Sequence, residues 1–178
     1  MFEDKFLVLK FKSGSKQALE EIYEKYRDDL LKIAASLLNR AQAAENIVYD
    51  VFISFVRNRE KFQLKGSLKA YLITAAVNRV RNLYREKKTG QLDETFEIES
   101  GFYRPEQWII ENENAKLVNS ALEKLPAEQR EAVVLHTQGR LKFRQIAEMQ
   151  SVSAKTAHSR YRYGIDKLRS LLNGKVTL

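Results

Sequence analysis

Apolar residues recur at intervals of three and four along most of the chain. Leu19, Ile22, Tyr23, Tyr26, Leu30, Ile33 and Leu37 predict a helix with one buried face. A second helix is predicted from about Ala41 to Arg57, with Ile47, Val51, Phe52 and Phe55 inward. A third opens after Gly66, takes Ser67 as its cap and runs to about Glu86, with Leu68, Leu72, Ala75, Ala76, Val80 and Leu83 as its core side. Pro105 and Pro126 each stand where a first-turn proline fits, and acidic residues follow both, as the positive end of a helix dipole favours. Two helices result, meeting at Leu125 and ending near Gly139. The stretch "QIAEMQSVSAKTAHSRYRYGIDKLR" completes a short helix from about Phe143 to Met149, makes a turn at "QSVS" and starts a longer helix from Ser153 to about Leu172. No strand-like alternation is sustained, so the prediction is an all-α protein.

Composition narrows the classes. The chain has 178 residues and no cysteine, which excludes disulfides and thiolate metal sites. No apolar run approaches the ~18 residues that suggest a membrane span. The opening "MFEDKFLVLKFKSG" mixes charges into its apolar residues, unlike a signal peptide. A soluble, cytoplasmic protein without membrane insertion is expected. The net charge of +8 favours a polyanionic partner.

That charge is unevenly placed. Residues 1–88 carry 18 basic and 11 acidic side chains, whereas "TGQLDETFEIESGFYRP", residues 89–105, has four acids against one arginine. Residues 106–178 are basic again, with 12 against 8. An acidic stretch with Gly, Ser and Thr and no helical period between two periodic halves reads as a flexible linker. Two small helical domains, 1–88 and 106–178, are expected on either side of it.

Two faces carry recognition chemistry. Tyr71, Thr74, Asn78, Arg81 and Arg85 lie three or four residues apart and so share a stripe on the third helix opposite its core side. Bases stack on aromatic rings, arginine pairs with phosphate and amides read base edges, a combination suited to a melted strand; a solvated basic face has the same look. The preceding loop adds Phe62 and Lys65, and Phe62 fits that face or the core equally. The short helix, tight turn and longer basic helix have a helix-turn-helix layout, whose second helix enters the major groove of duplex DNA. On that helix Ala157, Tyr161, Gly164, Leu168 and Leu171 project to one side. Lys155, His158, Ser159, Arg162 and Arg169 project to the other, with Thr156 beside the cap. Arg160 lies on the flank and, with Arg140 and Lys142 before the short helix, suits phosphate contact. Residues 140–169 hold eight basic and two acidic side chains.

Catalysis has no candidate. No Walker loop, HExxH or Gly-rich dinucleotide fingerprint occurs, and the two histidines, His136 and His158, lack companions for a metal site. His136 is expected to be packed or on the surface. No enzyme, cofactor or metal is expected.

The two halves together resemble the extracytoplasmic-function sigma factors, small subunits of the sigma-70 superfamily that direct RNA polymerase core to particular promoters. "SGSKQALEEIYEKYRDDLLKIAASLLNRAQAAENIVYDVFISFVRNREKFQLKGSLKAYLITAAVNRVRNLYREKK" is similar to the family's region two. "LPAEQREAVVLHTQGRLKFRQIAEMQSVSAKTAHSRYRYGIDKLR" is similar to its region four. The resemblance implies that the first domain binds polymerase core and reads and melts the minus-ten element, and that the second reads the minus-thirty-five element. It places polymerase binding on Glu45, Asn46, Tyr49, Asp50 and Ile53, with Asn46 and Tyr49 where the family usually has an acidic residue and a glutamine. Tyr71 stands for the usual tryptophan, and Asn78 matches. Ser151 replaces a frequent turn glycine, Gln150 a frequent leucine, and Lys142 a usual serine or threonine cap. RNA polymerase core and promoter DNA are the implied partners, and the family leaves room for an anti-sigma factor. The competing class is a free-standing helix-turn-helix regulator that binds duplex DNA without polymerase. The stripe from Tyr71 to Arg85 discriminates the two, since a duplex-only regulator needs no strand-melting face.

Overall fold

The computed structural model describes residues 2–38, 41–64, 66–88 and 113–173. All their regular structure is helical, in the order α1 (Phe2–Lys12), α2 (Lys16–Leu38), α3 (Ala41–Arg57), α4 (Leu68–Lys88), α5 (Glu113–Glu123), α6 (Ala127–Thr137), α7 (Phe143–Gln150) and α8 (Ala154–Leu172). The expected acidic linker and the expected first-turn role of Pro105 lie outside the described residues.

Helices α1 to α4 form the first domain. The apolar periodicity of α2 becomes a row of buried residues, Ile22, Leu30, Ile33 and Leu37, facing Ile47, Val51 and Phe55 of α3 and Leu72, Ile73 and Val77 of α4. Tyr23 departs from the expected row. It is 40% exposed at the edge of the core, its ring 4.8 Å from Phe52. The helix α1 was not foreseen. It buries Leu7, Val8 and Phe11 and leaves Phe6 and Leu9 outside; the Phe11 ring stacks on Phe55 at 4.5 Å.

Local chemistry sets these boundaries. After Lys12, Gly14 adopts φ 96°, Ser15 N–H donates to Lys10 O and Gly14 N–H to Phe11 O. This Schellman pattern satisfies the last carbonyls of α1. The Ser15 hydroxyl then accepts from Ala18 N–H and caps α2. The Tyr26 hydroxyl donates to Asp4 at 2.7 Å, tying α1 down at its start. Burial and this carboxylate raise the Tyr26 phenol well above its ordinary value. For Asp4, burial acts upward, but the hydrogen bonds from Tyr26 and Lys25 prevail and its carboxyl is lowered.

Helices α5 to α8 form the second domain around Leu122, Leu125, Val133, Val134, Leu135, Ile146, Ala157 and Leu168. The close crossing of α6 and α8 requires Gly164. A Cβ there would lie 2.7 Å from Val133 Cγ2 and 3.2 Å from the Gln129 carbonyl oxygen. Pro126 stands one residue before the first turn it was expected to open, as the N-cap of α6. Ser153 caps α8 by accepting from Thr156 N–H at 3.0 Å. Between α7 and α8, Ser151 is left-handed at φ 53°. Val152 N–H donates to Ala147 O and Ser151 N–H to Glu148 O, so serine occupies the position in which this motif favours glycine. Lys142 caps α7 without a side-chain acceptor, and its own N–H donates to the Gln145 side chain at 2.9 Å. Half of a capping box therefore survives the lysine.

Candidate nucleic-acid interface

The stripe on α4 begins on a base of aromatic rings. Tyr71 is 38% exposed, with its ring 4.8 Å from Phe62 and 6.1 Å from Phe55. Phe62 itself is 6% exposed. Of its two expected places the core is the one it takes, so it backs Tyr71 and does not offer a face to a base. The Lys12 ammonium donates to the Phe62 carbonyl at 2.7 Å and thereby holds the loop before α4 against α1. Lys65 lies outside the described residues. The Thr74 hydroxyl is turned back to the Ala70 carbonyl, while Asn78 is exposed one turn farther on. Arg85 is exposed and donates to Asn82 at 3.2 Å.

Arg81 differs from its expected setting. Its guanidinium is turned to the second domain, donating through Nε and Nη2 to the Glu131 carboxylate at 3.0 and 2.5 Å and through Nη1 to the Met149 carbonyl at 3.0 Å. Arg79, which the periodicity did not single out, is an exposed cation beside Asn78. It donates to the Ser54 hydroxyl at 2.9 Å and stands 3.9 Å from Asp50.

On α3, Tyr49, Asp50 and Val56 are exposed and Glu45, Asn46 and Ile53 are half-buried. Tyr49, Ile53 and Val56 are spaced by four and three, so they make one apolar strip on the outer side of α3. Tyr49 is 64% exposed, more than any other aromatic residue named here. Asp50 borders the strip.

The helix-turn-helix is built as its pattern predicts. Lys155, His158 and Arg162 on α8 are exposed, together with Arg140 and Lys142 ahead of α7. Ser159 is half-buried. The Thr156 hydroxyl is engaged with the Ser153 hydroxyl at 2.8 Å, so Thr156 serves the cap first. The Arg162 guanidinium lies 5.1 Å from the Tyr163 ring centroid. Arg160 is half-buried, and its Nη1 donates to the Gln150 amide oxygen at 2.8 Å. His136 is a packing residue. It stacks on Phe143 at 4.3 Å, meets Tyr161 edge-on at 4.8 Å, and its Nδ1 lies 2.9 Å from the Leu141 carbonyl oxygen. His158 meets Phe143 edge-on at 4.9 Å, which steadies its ring on the outer side of α8.

The sequence reading missed a second set of polar residues, those between the domains. Gln138 donates to the Ser36 hydroxyl at 2.8 Å, and Arg130 Nη1 donates to the Leu37 carbonyl at 3.1 Å. Glu131 was visible only as an acid at the head of the apolar run "AVVL"; its partner is 50 positions away. Among the described residues no group of His, Asp or Glu could hold a metal ion, and no helix is long and apolar enough to cross a membrane.

Comparison with known proteins matches both halves. Residues 22–89 fit the family model described as Sigma-70 region 2, and residues 115–168 that described as Sigma-70, region 4. The chain is 24% identical to the RNA polymerase sigma factor CarQ of Myxococcus xanthus, over 92% of this chain and 94% of that one. It is also 24% identical to the ECF RNA polymerase sigma factor SigW of Bacillus subtilis, over 90% and 92%. In fold it resembles the sigma factor RpoE of Bartonella quintana, solved with the anti-sigma factor NepR, with a TM-score of 0.69, 24% identity and coverage of 88% and 98%.

Proposed function

The chain belongs to the sigma-70 superfamily as an extracytoplasmic-function sigma factor, and on that premise we propose how its surfaces divide the work. It binds RNA polymerase core and directs promoter recognition and melting in transcription initiation. A free-standing duplex-binding regulator would have no use for a region-two domain, which this chain carries at residues 22–89.

The outer strip of α3, Tyr49, Ile53 and Val56 with Asp50, Glu45 and Asn46 around it, is the surface for polymerase core. Apolar residues in the middle of a polar surround are the usual composition of a docking patch. Tyr71 and Asn78 on α4 take the melted minus-ten strand, Tyr71 by stacking and Asn78 through its amide, with Arg79 and Arg85 beside them for the backbone. On α8, Lys155, His158, Ser159 and Arg162 face the bases of the minus-thirty-five element. Arg160, Arg140 and Lys142 meet phosphate. The domains run 1–88 and 106–178, with 89–105 joining them. The chain catalyses nothing itself; the polymerase supplies the chemistry, and the complex works in the cytoplasm. An anti-sigma factor is a further class of partner, as for the Bartonella quintana protein.

The observation that carries this reading is the exposed pair Tyr71 and Asn78, two turns apart on one helix, in a chain that also has a helix-turn-helix. Tyr71→Ala or Asn78→Ala should impair promoter opening more than closed-complex formation, because loss of one stacking contact costs ~1–3 kcal/mol. Permanganate footprinting beside gel shifts, on a promoter selected from randomised duplexes, measures both steps. Unchanged thymine reactivity at the start site would refute the assignment.

A further inference from the structure

The ring offered to a melted base is not held by α4 alone. Tyr71 rests on Phe62, whose ring centroid is 4.8 Å away, and Phe62 meets Phe55 edge-on at 5.0 Å. Phe55 in turn stacks on Phe11 of α1 at 4.5 Å, the two planes 13° apart. A file of four rings therefore runs from α1, through α3 and the loop ahead of α4, to the exposed Tyr71. Helix α1 lies ahead of residue 22, where the match to Sigma-70 region 2 begins.

Phe62 is the one ring of this file that no helix carries. Within its own loop its N–H donates to the Asn58 carbonyl at 2.9 Å. The anchor from outside the loop is Lys12, the last residue of α1, whose ammonium donates to the Phe62 carbonyl at 2.7 Å. Lys12 is half-buried, so this charge-assisted bond is only partly exposed to the competition of water. A Cβ at Gly14 would lie 3.7 Å from Arg59 Nη1, so the same loop also lies along the turn that ends α1. The carbonyl and the ring of Phe62 belong to one residue, and fixing the first places the second.

Resting on the sigma-factor reading, we propose that α1 supports the strand-melting face and that Lys12 is its positioning residue. By holding the Phe62 carbonyl it keeps the Phe62 ring under Tyr71, and so sets the plane that Tyr71 presents to an unpaired base. Lys12 touches no DNA in this role. A backed ring loses less freedom when a base stacks on it than a free one does, which is the advantage of a preorganised site. The effect falls on promoter opening, where Tyr71 is used, and spares closed-complex formation.

The full chain is compared with Lys12→Met, which keeps the length of the stem without a donor, with Lys12→Arg, which keeps charge and donor, and with Lys16→Met, which removes the same charge from an exposed site at the start of α2. Hydrogen exchange of residues 58–64, read by mass spectrometry on the free proteins, reports the holding of the loop. Gel shifts and time-resolved permanganate reactivity, with core polymerase on a promoter selected from randomised duplexes, report the closed complex and its opening. In Lys12→Met the loop amides should exchange about fivefold faster, the effect of losing one ordinary hydrogen bond, and opening should slow by about two- to fivefold as part or all of that loss reaches Tyr71. Closed-complex affinity should not change, and Lys12→Arg and Lys16→Met should behave as the unchanged chain. Unaltered exchange of the loop in Lys12→Met, faster exchange with unaltered opening, or an equal loss in Lys16→Met overturns the proposal. Should Lys12→Met fail to fold, Phe11→Leu decides by the same two readouts, because it shortens the file of rings at its α1 end. If the unchanged chain opens no promoter with core, the sigma reading falls, and the exchange data still decide whether Lys12 holds the loop.

Discussion

Gly164 is a severe test of the packing that aims the recognition helix. A glycine inside a helix is ~1 kcal/mol less favourable than alanine, so Gly164→Ala on an open face of α8 would stabilise the protein by that amount. The structure gives the new methyl no room. Its carbon would stand 2.7 Å from Val133 Cγ2 and 3.2 Å from the Gln129 carbonyl oxygen. Val133 is 4% exposed and branched at Cβ, so its methyl has little rotamer freedom, and the carbonyl is part of the α6 backbone. Overpacking of this kind costs ~1–3 kcal/mol; after the helix-propensity gain, Gly164→Ala should destabilise by ~0–2 kcal/mol. Thermal and denaturant unfolding of Gly164→Ala, Val133→Ala and the double variant measures it. The double variant should be more stable than the sum of the single effects by ~0.5–3 kcal/mol, the coupling expected of residues in contact. Affinity for an upstream-element duplex should fall in Gly164→Ala and recover in the double variant, because α8 carries Lys155, His158 and Arg162. A stabilisation of ~1 kcal/mol by Gly164→Ala, with additive effects at Val133, would refute the close crossing of α6 and α8.

Two further outcomes follow from the helix-turn-helix. Ser151→Gly should stabilise the protein by about 0.5–1 kcal/mol in denaturant unfolding, since relief of left-handed strain, ~1–2 kcal/mol, exceeds the ~0.4–1 kcal/mol of added chain entropy in the unfolded state; no gain would mean that Ser151 is not strained. Arg162→Ala should relax sequence preference at one position and cost about 1–3 kcal/mol against the preferred duplex, whereas Arg160→Ala should weaken all duplexes alike and lower the salt slope by about one. Competition binding with a randomised upstream element at several salt concentrations separates them, and an unchanged preferred sequence in Arg162→Ala would count against the division.

The legible parts of this protein were those with a local cause. Helices α2, α3, α4 and α8 each have one apolar face at helical spacing, and the ends of α8 and α4 are marked by Ser153 and Ser67 in the sequence itself. The left-handed turn at Ser151 has no local mark of its own; only the resemblance, in which a glycine is frequent at that position, drew notice to it. The helix α1 escaped because Leu7, Val8 and Phe11 point inward while Phe6 and Leu9 point out, so that its apolar residues make no single stripe. Tyr23 misled for the opposite reason. Its spacing from Leu19 and Tyr26 is helical, yet it falls at the rim of the core, where a phenol ring can be half wet. Phe62 could not be assigned from sequence because a loop has no periodicity from which to read a face. The partners of Arg81 and Arg160 were illegible. A pair such as Arg81 and Glu131, one from each domain, is brought together only by tertiary packing; Arg81 was marked by the stripe, but nothing along the chain marks Glu131 as its partner.

The central claim, that this chain is a sigma subunit which docks on polymerase through the outer strip of α3, is tested most directly by native pull-down of core polymerase with the purified chain and with Asp50→Lys. Asp50 borders the exposed Tyr49 and is half exposed itself, so reversing its charge disturbs the docking surface and leaves the core of the domain untouched. Core should be retained by the unchanged chain and largely lost with Asp50→Lys, while the variant keeps its affinity for an upstream-element duplex. Failure of the unchanged chain to retain core would contradict the account at its root, and equal retention by both proteins would move the docking surface away from α3.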